Sequence, residues 1–170
     1  ALAVQDFPAR PFVIGADRSW TYAEMADWSQ SLASGLIAQG IKPGDRVALD
    51  LANYPEFVAL KLAIARAGAV CVPCNFLLRG EELGYVLAQS GAAMLITMDR
   101  FRGHDYLAEL SNAGMAGKVV VFQTGHASAP TSQHIQLADL AASATGASDI
   151  ELLRREAARG GSDLCDIIYT

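Results

Sequence analysis

Several features are scarce in this chain, and each scarcity excludes something. Of 170 residues only three are cysteine. An odd, irregularly spaced set cannot make the disulfide framework of a small secreted domain, so Cys71, Cys74 and Cys165 read as reduced thiols of a cytoplasmic protein. Basic charge is also thin, with 13 Lys and Arg against 18 Asp and Glu and a formal charge of −5. No basic cluster occurs, which argues against a nucleic-acid partner held by bulk charge. The apolar, uncharged stretch Leu83 to Met98 falls short of the ~18 apolar residues a membrane span needs, and Gln89, Ser90 and Gly91 interrupt it. Residues Ala1 to Arg10 lack the basic start and apolar run of a signal peptide. The chain starts without Met and stops in a strand-like run, and so reads as a piece of a longer protein.

Catalytic signatures are missing as well. No G-x-G-x-x-G follows a strand, and no G-x-S-x-G elbow occurs. Gly114-Met115-Ala116-Gly117-Lys118 lacks the spacing of a phosphate loop, and Val119 stands where a metal-binding hydroxyl is required. Cys71-Val72-Pro73-Cys74 has redox spacing, but its first thiol lies inside an apolar strand run rather than at a helix start, so both read as buried thiols. A zinc site from Cys71, Cys74, Cys165 and one of His104, His126 or His134 would need ligands from far-apart segments. His104 reads as a polar cap at a helix start.

What is present is a core and a rhythm. Apolar residues make up 52% of the chain and charged residues 18%, enough to bury the core of one domain and too apolar for a disordered tail. Strands are expected at 12–14 and 19–21 around a turn. A helix should follow from Thr21, whose capping box with Glu24 precedes the stripe Met25, Trp28, Leu32 and Leu36. Strands at 46–51, 69–73, 94–97 and 118–122 then alternate with helices capped at Asn53, opened by Glu81 and Glu82, and running from His104 to Ala113. Residues 123–133 read as an exposed loop, 137–140 and 150–158 as helices, and Leu164 to Tyr169 as a last strand. Alternating units with continuous apolar strands predict a doubly wound α/β fold, mainly parallel, with helices on both faces.

In an open parallel sheet ligands bind beyond the carboxyl ends of the strands, so chemistry is expected just past Thr170. Six phrases stand in order along the chain: Trp20-Thr21-Tyr22-Ala23-Glu24, Gly44-Asp45-Arg46-Val47-Ala48, Asn53-Tyr54-Pro55-Glu56-Phe57, Gly68 through Asn75, Glu82-Leu83 with Tyr85-Val86-Leu87, and Ile167-Ile168-Tyr169-Thr170. With these phrases the sequence resembles the start of the adenylate-forming superfamily of acyl-CoA synthetases, luciferases and nonribosomal peptide adenylation domains. They keep the family order over essentially the whole chain. Phe101-Arg102-Gly103-His104-Asp105-Tyr106-Leu107 further resembles the branch that handles medium-chain, alicyclic or aromatic acids.

The resemblance implies an acid–thiol ligase: a carboxylate attacks the α-phosphate of ATP to give an acyl-adenylate and pyrophosphate, and a thiol, usually coenzyme A, displaces AMP. Residues 1–170 would be the N-terminal subdomain of its AMP-binding domain. ATP, Mg2+ and coenzyme A would belong to the full-length enzyme, with a hydrophobic carboxylic acid as substrate. Two cofactor-binding positions follow from the resemblance. Thr170 would open the nucleotide loop, and Arg79 would approach coenzyme A phosphate in place of the family's Arg, whose position holds Leu77. No catalytic or metal residue can be matched, so the chain alone is expected to be inactive. A carrier-protein-loading adenylation domain and a non-catalytic α/β binding module are the alternatives, and homo-oligomers remain open.

Overall fold

The computed structural model describes residues 2–114, 117–125 and 134–169. A short helix α1 (Leu2–Asp6) precedes the hairpin of β1 (Pro11–Ile14) and β2 (Ser19–Thr21). Helix α2 (Tyr22–Ala38) begins where expected: the Thr21 hydroxyl accepts from Glu24 N at 3.2 Å, and Thr21 N donates to Glu24 Oε2 at 2.8 Å. The remaining elements are β3 (Arg46–Asp50), α3 (Pro55–Arg66), β4 (Val70–Pro73), α4 (Gly80–Ser90), β5 (Met94–Met98), β6 (Arg100–Phe101), β7 (His104–Asp105), α5 (Tyr106–Ala113), β8 (Lys118–Phe122), β9 (Ile135–Gln136), α6 (Leu137–Ala142) and α7 (Gly146–Ala158).

Five strands form one parallel sheet in the order β4-β3-β5-β8-β9. Strand side chains alternate between two cores. Val47, Leu49, Cys71, Met94, Ile96 and Val120 join residues of α2, α3, α6 and α7 on one face. Ala48, Val72 and Leu95 meet Leu83, Val86 and Leu87 of α4 on the other, where α5 also packs. The doubly wound reading therefore holds, with strands buried on both faces because helices cover both.

Helices in such a fold run opposite to the strands, so their carbonyl ends gather at the strands' amino ends. Cationic side chains cap them there. Arg46 donates to the carbonyls of Ser90 and Gly91 at 2.8 Å, Lys118 to Gln39 O at 2.7 Å, Arg155 to Ala67 O at 2.8 Å and Arg159 to Ala65 O at 2.8 Å. Each supplies the donor and the positive charge that a helix C-terminus lacks. Most of the basic charge at this end is thereby committed to structure.

Four local expectations are corrected. The helix expected from His104 starts at Tyr106, because Arg102 and Gly103 adopt φ of 50° and 80° and fold β6 and β7 into a hairpin. Asp105, not His104, is the cap, accepting from Ala108 N at 3.1 Å. Tyr54 rather than Asn53 occupies the cap of α3. The last strand shrinks to a single parallel bridge between Cys71 and Asp166. Cys71 N donates to Cys165 O at 2.8 Å and Ile167 N to Cys71 O at 2.9 Å; the next donor in register would be residue 73, a proline without an N–H. Of the loop expected at 123–133, residues 126–133 lie outside the described residues.

Candidate functional site

The crossover logic marks one place on the sheet. The connection leaving β3 crosses one face through α3 to β4, and that leaving β5 crosses the opposite face through α5 to β8. The carboxyl ends of β3 and β5 therefore flank a topological switch point, where open α/β sheets bind ligands. Asp50 and Thr97 sit opposite each other there. The Thr97 hydroxyl donates to Asp50 Oδ2 at 3.1 Å, while Asp50 Oδ1 is buried without a partner. Burial pushes the Asp50 carboxyl up to about 6, against the Thr97 bond and the Arg79 charge, which pull it down.

Above Asp50 the crevice is plugged. Tyr54 meets Phe101 edge-on at 6.0 Å and Phe122 at 5.1 Å, Phe76 meets Phe101 at 5.6 Å, and Tyr106 Oη donates to Phe76 O at 2.8 Å. Burial raises both tyrosine hydroxyls above their ordinary range, so neither serves as a base at neutral pH. Asp99, also buried, locks the adjoining loop by accepting from the amides of Arg100 at 2.6 Å and Thr124 at 2.9 Å.

Open space lies to either side. A cleft of about 300 Å3 at the end of β8 is walled by Trp28, Phe122 and Leu137, with Glu56 at its edge, whose carboxyl is raised by burial. The larger cleft, about 600 Å3, lies past the end of β4. Pro73, Leu78, Val86 and the rings of Tyr85 and Tyr169 give it an apolar floor, and Glu81 and Glu82 stand on its rim. Among the described residues its lining contributes two carboxylates and no cationic side chain. That combination suits an apolar group and opposes a phosphate.

Comparison with known proteins decides the family. The model for AMP-binding enzymes matches residues 1–170. This chain belongs to the AMP-binding enzymes. It is 41% identical over 102 residues to a putative acyl-CoA synthetase, YngI, of Bacillus subtilis, an alignment covering 59% of this chain and 19% of that protein. The anthranilate CoA ligase AuaEII, solved with anthranoyl-AMP, shares the fold with a TM-score of 0.72 at 21% identity, over 83% of this chain and 26% of that one. An artificially fused adenylation-PCP di-domain from Klebsiella oxytoca superposes with a TM-score of 0.65 at 25% identity, over 99% of this chain and 27% of that one. The chain thus spans about a fifth to a quarter of the length of these proteins.

Within this member of the family the sequence-derived positions fall as follows. Thr170 lies outside the described residues; the residue before it in sequence, Tyr169, lines the larger cleft. Arg79 caps α4, but its guanidinium turns inward: Nη1 donates to Phe76 O at 2.8 Å and Leu78 O at 2.7 Å, and the group lies 5.3 Å from the Tyr106 ring centre. Cys71 and Cys74 are buried, and burial pushes both thiols up to about 12, as expected of inert core thiols; Cys165 is exposed. Among the described residues no cluster of three His, Cys, Asp or Glu is placed to hold a metal ion. No described helix is long and apolar enough to cross a membrane.

Sequence reasoning missed Asp50 and Lys61. Each had one visible signal, a lone charge in an apolar run: Asp50 in Val-Ala-Leu-Asp-Leu, Lys61 between Leu60 and Leu62. Lys61 Nζ binds Asp166 Oδ1 at 2.7 Å, tying α3 to the terminal segment.

Proposed function

We propose that this chain is the N-terminal subdomain of the AMP-binding domain of an acyl-CoA synthetase that activates a hydrophobic carboxylic acid. The observation that carries the reading is the seat of residues 163–169: bonded to the open edge of β4, they bring Tyr169 to the strands' carboxyl ends, beside an apolar cleft. A nucleotide loop opening at Thr170 would then start on the rim where this fold class binds ligands. The similarity to the Bacillus subtilis protein supports coenzyme A as the acceptor.

The described residues do not themselves fit a magnesium triphosphate. Glu81 and Glu82 rim the cleft, Arg79 is engaged by backbone carbonyls, and the capping cations lie at the opposite end of the sheet. Adenylation needs positioned cations and dipoles around the transferred phosphoryl group. In this reading those groups, together with the acyl pocket, come from the rest of a longer protein, and the present elements hold the loop's point of departure. The enzyme works in the cytoplasm.

The test uses the longer protein, supplied with ATP, Mg2+, coenzyme A and a panel of medium-chain, alicyclic and aromatic acids. Acid-dependent release of AMP and pyrophosphate with formation of an acyl-CoA is expected. Acid-dependent pyrophosphate release with transfer only to a carrier-protein thiol would favour the second reading, an adenylation domain. That reading is supported by the superposition of 99% of this chain on 27% of the adenylation-PCP di-domain.

A further inference from the structure

The segment that leads to Thr170 is held by little backbone hydrogen bonding. Two hydrogen bonds join it to β4, both at Cys71, and Pro73 removes the donor for a third. A parallel strand of this length ordinarily gains a ladder; here side chains stand in for it. Asp166 reaches Lys61 of α3 at 2.7 Å, with side-chain exposures of 25% and 39%. This bond raises the Lys61 ammonium above its ordinary value. Asp163 accepts from Gly160 N at 2.9 Å and approaches Arg159 Nε at 3.6 Å, closing the turn that enters the segment. Ile167 and Tyr169 pack on the α4 cluster, and the Tyr169 hydroxyl meets Gln89.

These anchors are unequal. The Asp163 contacts stay within the turn, and the Tyr169 contact is at the exposed end. Of the side-chain ion pairs and hydrogen bonds among the described residues, Lys61–Asp166 is the one that joins the middle of the segment, three residues before Tyr169, to a helix of the main core, on the face opposite the α4 cluster where Ile167 packs. Its partner Asp166 is the residue paired with Cys71 in the single bridge. We propose that the Lys61–Asp166 pair is a positioning device that sets the register of residues 165–169 on β4 and thereby the placement of the nucleotide loop. This inference rests on the ligase reading only in its last step. Neither side chain touches the reacting groups; both act through the backbone they hold.

The test separates the two steps. In the 170-residue chain, amide exchange at Cys71 and Ile167 reports the two bridge bonds directly, and Ile96 in β5 reports global opening. Lys61→Met and Asp166→Asn should each speed exchange at Cys71 and Ile167 about threefold with Ile96 unchanged, and Lys61→Arg should restore protection. Threefold corresponds to about 0.7 kcal/mol of local stability, within the range of a partly exposed pair. Unchanged exchange at both amides overturns the tether whatever the protein's activity.

In the longer protein, Lys61→Met should raise the KM for ATP several-fold, leave the KM for the acid unchanged, and be rescued by Lys61→Arg. Faster exchange with an unaltered KM for ATP would reduce the pair to local structure and overturn the positioning role. Absence of ATP-dependent acid activation in the unmodified longer protein would instead overturn the ligase reading and leave the tether result standing.

Discussion

At the scale of a single residue, Asp50 carries the clearest consequence. Its carboxyl rises from an ordinary 3.8 to about 6 because burial disfavours the anion, and one oxygen has no donor. Between those two pH values the folded state binds more protons than the unfolded state, so stability falls as pH rises through the window and stays low above it. The full penalty is about 3 kcal/mol at neutral pH. Asp50→Asn keeps an acceptor for Thr97 and removes the charge. Urea unfolding should therefore show the variant more stable than the parent at pH 7.5, with the difference largely gone at pH 4. A variant less stable at pH 7.5 would mean that the buried anion is compensated.

At the scale of elements, α2 and α6 approach each other closely at Gly35. A methyl group on Gly35 would lie 2.0 Å from the Leu140 carbonyl oxygen. Gly35→Ala should improve helix propensity by about 1 kcal/mol, yet force α6 outward at a cost of about 3 kcal/mol or more. A net loss in the urea midpoint is expected; a net gain would show that α6 gives way freely.

The alternation of strands and helices was legible because its signals are local: apolar runs at β3, β4, β5 and β8, and a capping box at Thr21. The β6–β7 hairpin was not, since it requires Arg102 at positive φ, which an arginine rarely adopts. Nor was the loss of the last strand, whose residues are strand-like while the fault lies in Pro73, some ninety residues earlier. The site followed the same division. The order of phrases put the end of the chain next to the expected nucleotide loop, but the burial of Asp50 and the Lys61–Asp166 pair depend on which segments meet in space.

At the scale of the whole molecule, the sheet is well covered by helices and poorly covered at one margin. Leu77, Tyr85, Leu164 and Ile168, each at least 60% exposed, lie along the region before α4, on α4 and on the terminal segment. Single exposed apolar residues are ordinary, but a group along one margin marks surface fit for burial. The 170-residue chain should bind an anilinonaphthalene dye while retaining a cooperative transition, and self-associate as concentration rises. A monodisperse chain without dye binding would show that this margin needs no cover.

The central claim is that these residues seat a nucleotide loop without gripping the nucleotide. Acid-dependent ATP–pyrophosphate exchange measured on the purified 170-residue chain tests it most directly. The account predicts exchange indistinguishable from a protein-free control with every acid offered, and exchange above that control would contradict it.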